Sequence, residues 1–297
     1  EKESVNQLKE KLQDFWKKIQ KFFANMYTET PNKEKNEESS WSVGDIFATF
    51  LRTLKLLWDV MIALFVCLFL FGAGIGIGYA ASLFSNVKVP KTEELVQQVR
   101  NVSSVSKLTY SDKSLIAEVD SDLIRTPVAG DAISDNVKKA VIATEDENFE
   151  SHKGVVPKAV LRATLGSVAG VGSSSGGSTL TQQLIKQQVV GDAPTFTRKA
   201  TEIVDALALE RGMDKNEILT TYLNVSPFGR NNRGQNIAGV EAAAQGIFGV
   251  SAKDLSVPQA AFIAGLPQSP IVYSPYAADG SLKSKENLEL GLARAKD

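Results

Sequence analysis

Near the N-terminus, apolar residues fall at Leu8, Leu12, Phe15, Ile19, Phe22 and Met26, in alternating steps of four and three, with Lys9, Lys11, Lys17, Lys18 and Lys21 between them. That period predicts an amphipathic helix. The stripe suits a helix lying on a membrane surface or one seam of a coiled coil, and the pattern alone leaves both open. From Thr28 to Ser40 the apolar residues thin out and Pro31, Asn and Glu take over, which reads as a flexible linker. Ser42 or Asp45 then offers an N-terminus for another helix. Val60 to Phe84 holds no charged residue in 25 positions. As a helix it would run roughly 37 Å at about 1.5 Å per residue, more than the ~30 Å hydrocarbon core, so it predicts a transmembrane helix. Its distance from the N-terminus favours a retained anchor over a cleaved leader. Gly72, Gly74, Gly76 and Gly78 either let a second helix approach closely or reflect the tolerance of membrane helices for glycine.

Val87 to Lys107 reads as a polar connector, and Leu108 to Val128 as a short hairpin around SDKS. Beyond it helical spacing dominates. With Ser134 or Asp135 as N-cap, Val137, Ala140, Val141 and Thr144 form one face of a helix ending at Glu145. Further helices are predicted at Pro157–Val168, Thr179–Val189, Thr197–Arg211, Lys215–Leu223, Val240–Phe248 and Val257–Leu266. The expected class is mainly α, with a single membrane helix ahead of it.

Lys and Arg total 33 against 34 Asp and Glu, so there is no basic field of the kind that nucleic acid requires. The one cysteine, Cys67, lies inside the apolar run, which excludes an intrachain disulfide framework. Arg52 and Lys55 on one side of the span face Lys88, Lys91 and Arg100 on the other, so charge alone does not set its orientation.

Chemistry-capable residues concentrate between Glu145 and Glu202. Glu145 closes a helix, where the negative end of the helix dipole disfavours a carboxylate's charge and so favours a proton acceptor; taken alone, such a residue is more often a solvated surface group. Asp146 adjoins it, and His152, the only histidine, suits a structural hydrogen bond. In GVGSSSGGS, Gly172 and Gly177 have the spacing of a nucleotide phosphate loop, but Ser178 stands where the lysine belongs, so no nucleotide is expected. A glycine-rich turn opening a helix at Ser178 and Thr179 could still aim backbone N–H groups at an anion, or be a linker with an N-cap. Gln182, Gln183 and Lys186 follow on that helix, Gln182 and Lys186 sharing a face. Arg198, Lys199 and Glu202 can share one surface by their spacing, which also fits an ordinary surface ion pair. Tyr222 and Leu223 read as core, with Asn224 and Gly229 as the turn that ends their helix.

EDENFESHKG, GGSTLTQQLIK, RKATEIVDALALE and KNEILTTYLNVSPFG occur in the order and approximate spacing of the first four motifs of the peptidoglycan glycosyltransferases. From about Leu108 onward the chain resembles the glycosyltransferase half of a class A penicillin-binding protein. The resemblance implies a lysozyme-like helical domain that polymerises lipid II into glycan strands by inverting hexosyl transfer, releasing undecaprenyl diphosphate. It implies Glu145 as the base and Glu202 as the second active-site carboxylate. Asp146, Ser178, Thr179, Gln182, Gln183, Lys186, Arg198, Lys199 and Asn224 are the implied substrate contacts. A divalent cation, Mg or Mn, near Glu202 is an implied cofactor. Lipid II, the growing strand, membrane lipid and other cell-wall synthesis and division proteins are the implied partners. Placing the catalytic part outside the cell and the N-terminus in the cytoplasm also follows from the resemblance.

Departures are Gln187 where the family commonly has asparagine, Ile247 where it often has tyrosine, and a fifth motif of which only Arg294 can be matched. The expected division is a cytoplasmic helix and linker at 1–59, a span at 60–84, a connector at 85–107 and a glycosyltransferase domain at 108–297, truncated from a bifunctional protein. Ser85 to Lys88 and Ser104 to Lys107 match Ser-x-x-Lys, but the partner motifs of a transpeptidase do not follow either, so that activity is not expected of this chain. The rival readings are a glycan-cleaving enzyme of lysozyme-like fold and a non-enzymatic membrane scaffold.

Overall fold

The computed structural model describes residues 43–102, 107–111, 115–118, 123–168 and 177–296, with residues 10, 13, 14, 16–18, 20 and 21 nearer the N-terminus. At those early positions the backbone is helical. All six apolar positions of the amphipathic stripe, the linker at 28–40 and the glycine-rich segment 169–176 lie outside the described residues. The chain divides into units at 1–72 and 73–297.

Helix α1, Val43–Ser85, is continuous over 43 residues. The expected separate helix starting near Ser42 or Asp45 and the span at 60–84 are therefore one element. No proline interrupts the stretch, and Gly44 sits in its first turn, where it costs little. The apolar side chains of α1 point outward along its length, Phe65, Leu68 and Phe71 among them. The helix is long and apolar enough to cross a membrane. A Cβ placed at Gly72, Gly74, Gly76 or Gly78 meets nothing within 4 Å, so among the described residues no helix uses that stripe.

The stretch read as a polar connector contains a helix, α2, Thr92–Arg100. Its few apolar residues, Leu95, Val96 and Val99, are all buried, against the later helix α6. Nine residues with so few apolar positions give a weak periodic signal, yet all three serve one face. The hairpin exists as strands β1, Lys107–Thr109, and β2, Leu115–Glu118, paired antiparallel. A second sheet was not anticipated. Strand β3, Leu123–Arg125, lies parallel to β5, Asn236–Ala238, which pairs antiparallel with β4, Pro227–Arg230. Gly229 consequently lies in a strand at a register shift, not in the turn expected for it. Its φ is +91°, and an added Cβ would meet the Pro270 carbonyl at 2.6 Å.

Helices account for the rest. They are α3, Asp135–Glu145; α4, Pro157–Val168; α5, Leu180–Ile185, continued as a wider π turn over Lys186–Val190; α6, Phe196–Leu209; and α7, Lys215–Val225. After β5 come α8, Val240–Ala243, with its own π turn to Phe248; α9, Val257–Gly265; α10, Pro270–Tyr273; and α11, Lys285–Arg294. The mainly helical class is as expected, with two small sheets added to it.

Helix α3 packs along α9, and α5 lies against both α6 and α7. Leu180, Leu184, Ile185, Leu209, Ile218 and Leu223 are fully enclosed there, which holds α5 in the core. Removing such side chains costs about 2–5 kcal/mol each, so the position of α5 is strongly determined.

One polar group in this core is not balanced. Asp205, 4% exposed on α6, has an Oδ1 with no hydrogen-bond partner among the described residues. Burial pushes its carboxyl up to about 6 from 3.8. The folded form therefore holds this proton more tightly than the unfolded chain does. Stability from this group is fully present below about pH 4 and is lost as pH rises through about 6, at most about 3 kcal/mol. Asp205→Asn should remove this dependence and raise stability at pH 8 by roughly 1–3 kcal/mol relative to the parent. Denaturant midpoints at pH 5 and pH 8 measure it; equal gains at both would contradict the assignment.

Candidate active site

Two neighbouring carboxylates meet the N-terminal turn of α5 in different ways. Glu145 ends α3, whose N-terminus is set by Ser134 accepting from the Asn136 N–H at 3.2 Å. Its Oε2 accepts from Gln183 Nε2 at 2.9 Å, and Gln183 Oε1 accepts from the Tyr222 hydroxyl at 3.1 Å. Burial, and then the charge of Glu145, push the Tyr222 phenol well above its usual range, so it keeps its proton and donates. Glu145 lines a cleft of about 330 Å³ together with Lys158, Arg162 and Ser178. Lys158 and Arg162 are four apart on α4 and put two cations along this cleft. Their four-residue spacing in KAVLR is the signal the sequence carries for them.

Glu202 is only 1% exposed. Its Oε2 accepts from Arg198 Nη1 at 2.6 Å, and its Oε1 accepts from Lys199 Nζ and from Gln182 Nε2, the latter at 3.3 Å. Lys199 also donates to Ser178 Oγ at 2.7 Å, and Arg198 Nε to the Ala193 carbonyl at 2.5 Å. Consecutive glutamines on α5 thus each hold one carboxylate: Gln182 takes Glu202, and Gln183 takes Glu145.

The motif-one turn is tied to α5 from outside. Asp146 Oδ2 accepts from the Leu180 N–H at 2.9 Å and lies 2.8 Å from His152 Nε2. His152 Nδ1 accepts from the Gly154 N–H at 3.0 Å, so the ring proton is on Nε2, facing Asp146. Thr179 Oγ1 donates to the Gly154 carbonyl at 2.6 Å while capping α5 through Gln182. Gly154 has φ +93°, and a Cβ there would come 2.6 Å from the Ala206 carbonyl, so the turn rests directly on α6. The amides expected to await a substrate anion are therefore partly used internally, with Asp146 supplying the negative charge at the helix N-terminus.

Other expected contacts separate. Lys186 Nζ pairs with Asp192 Oδ1 at 2.9 Å, holding the Asp192 carboxyl below its ordinary range; both side chains are exposed. Such a pair contributes about 0–1 kcal/mol, so a stronger anion can displace Asp192. Asn224 is buried, its amide accepting from the Val128 N–H and donating to the Val128 carbonyl, both at 2.9 Å. It fastens the chain ahead of α3. Gln187 Oε1 accepts from Ser226 Oγ at 3.3 Å. Glu210 accepts from Thr181 and Lys215, a structural cluster.

A divalent cation does not fit at Glu202. Hard cations seek several oxygens, whereas this carboxylate is surrounded by three N–H donors, two of them positively charged. Among the described residues, no group of three or more His, Cys, Asp or Glu is placed to hold a metal.

A profile for the transglycosylase family matches residues 112–293. Penicillin-binding protein 1A of Streptococcus oralis is 33% identical over 245 residues, covering 82% of this chain and 36% of that protein. Penicillin-binding protein 1A of Clostridium tetani is 35% identical over 259 residues, covering 86% and 29%. Penicillin-binding protein 1F of Bacillus subtilis is 32% identical over 216 residues, covering 73% and 29%. The chain thus spans 29–36% of the length of these curated relatives. With the profile running from the first hairpin to the last helix, over both carboxylates and the helix between them, the chain belongs to the transglycosylase family.

Proposed function

We propose that the chain is a membrane-anchored peptidoglycan glycosyltransferase that polymerises lipid II. The observation that carries this reading is the unequal state of the two carboxylates. Glu145 opens onto a cleft that Lys158 and Arg162 line together with Asp146 and Glu147, whereas Glu202 is enclosed and bonded at both oxygens to Arg198, Lys199 and Gln182.

Glu145 takes the proton of the acceptor's 4-hydroxyl as that oxygen bonds to the anomeric carbon of the growing strand. The bond from that carbon to the lipid diphosphate breaks on the opposite face, and its electron pair leaves with the diphosphate. Arg198, Lys199 and Lys186 supply positive charge to the leaving group, and Glu202 holds the first two in place. Lys158 and Arg162 offer a second anion contact on the Glu145 side, suited to the acceptor's own diphosphate. Asp146, Thr179, Gln182 and Asn224 act through structure, by their bonds to protein groups, and Ser178 stands at the cleft beside Lys199. No step uses a metal at Glu202. The apolar helix holds the protein at the membrane where such a lipid resides, with the catalytic part on the outer side and the N-terminus in the cytoplasm. Other cell-wall synthesis and division proteins are the partners this role calls for.

Glycan cleavage is disfavoured by the same geometry. Two-carboxylate hydrolases need a second carboxylate free to act as base or nucleophile, and Glu202 has neither a free oxygen nor access. Purified protein given labelled lipid II should yield polymer, and given preformed glycan should yield no fragments. Fragments without polymer would support the hydrolase, and neither product would support a scaffold.

A further inference from the structure

We propose that Tyr222 is a positioning residue for the base, acting through Gln183. The inference rests on Glu145 being the proton acceptor, and it assigns Gln183 to the base where family resemblance implied a substrate contact.

The direction of the hydrogen bonds follows from chemistry. An ionised carboxylate can only accept, so Gln183 must turn its amide nitrogen toward Glu145 Oε2. Its carbonyl then faces Tyr222, which must donate. Tyr222 has 0% exposure on α7, which shuts bulk water out from its hydroxyl, and the Ser226 side chain is the other polar group beside it. The result is a chain from the core to the cleft: hydroxyl to amide carbonyl, amide N–H to carboxylate. Without Tyr222 the Gln183 carbonyl would lose its donor, and the amide would be held only at the Glu145 end. With Tyr222 in place only one orientation satisfies every group. Oε2 is thereby occupied, and Oε1 has no described partner among the described residues, which leaves it for the substrate hydroxyl. Gln182, one residue earlier, is held through its own carboxylate partner and has no corresponding phenol, so the control is specific to the base.

Polymerisation of lipid II by the full chain tests this with Tyr222→Phe, Gln183→Leu and the double variant, with thermal midpoints recorded alongside. Tyr222→Phe should lower kcat about 3- to 10-fold at unchanged KM, the range of one lost neutral hydrogen bond. Gln183→Leu should lower kcat about 10- to 100-fold, as for a bond to a charged group. In the double variant the tyrosine change should add less than about 2-fold, because its route to Glu145 is already cut. A purely structural tyrosine would lower the thermal midpoint and reduce activity equally with or without Gln183. Additive losses, or a Tyr222→Phe enzyme with wild-type kcat, overturn the proposal. If Glu145→Gln keeps full activity, the base assignment fails instead, and if wild type makes no polymer, the glycosyltransferase reading fails.

Discussion

Glu145→Gln should abolish polymerisation while the fold and lipid II binding persist. The substitution keeps volume and the contact to Gln183 Nε2 can be retained through the amide oxygen, so only the proton acceptor is lost. General-base assistance is typically worth about 10²- to 10⁴-fold in rate, and the variant should fall by at least the lower figure. Strand product from labelled lipid II and a binding measurement with the same lipid separate the two effects. Turnover above about a tenth of wild type would remove Glu145 from the role; Asp146, the next residue, is already committed to the Leu180 N–H and His152.

Glu202→Gln should be nearly as damaging for a different reason, and it should also be visible without substrate. The carboxylate is buried while Arg198 and Lys199 reach it from partly exposed positions, so breaking the pairs should cost less than the about 3–5 kcal/mol typical of a fully buried one. The variant should show a lower thermal midpoint as well as a rate reduced by about 100-fold or more, the scale for losing aligned charge stabilisation of a leaving group. Added Mg²⁺ or Mn²⁺ should not restore the wild-type protein's behaviour to the variant, because Glu202 is a partner of cations already in the chain. A wild-type midpoint and rate together would refute the second carboxylate's importance.

Local features of this site were legible in the sequence. Glu145 at a helix end and Arg198, Lys199 and Glu202 on one surface follow from periodicity, because an α-helix places residues three and four apart side by side. The proline at the start of α4 marked its first residue correctly. Pairings across long separations were not legible. Strand β3 lies beside β5 more than a hundred residues later, and three-residue strands carry almost no alternation. Likewise Asn224 on Val128, Gln183 on Glu145 and Asp146 on the first turn of α5 depend on which helix faces which. A glutamine in a motif says that an amide is present, and only packing decides whether it meets substrate or protein. The core of α2 was missed because Leu95, Val96 and Val99 look sparse until the surface they cover is known.

The consecutive glutamines give the site a phase as well as a position. Successive residues of a helix point about 100° apart, so Gln182 and Gln183 address two directions separated by a fixed rotation. The Thr179 cap sets where that rotation begins, and the Asp146 bond to the Leu180 N–H fixes it against the motif-one turn. One uncharged residue inserted between Thr179 and Gln182 would leave the charge untouched yet turn both amides away from both carboxylates. The distance between the two acids is therefore gauged by a single step of one helix. Substitutions can weaken either side of the gauge separately, but a change of length must disturb both at once.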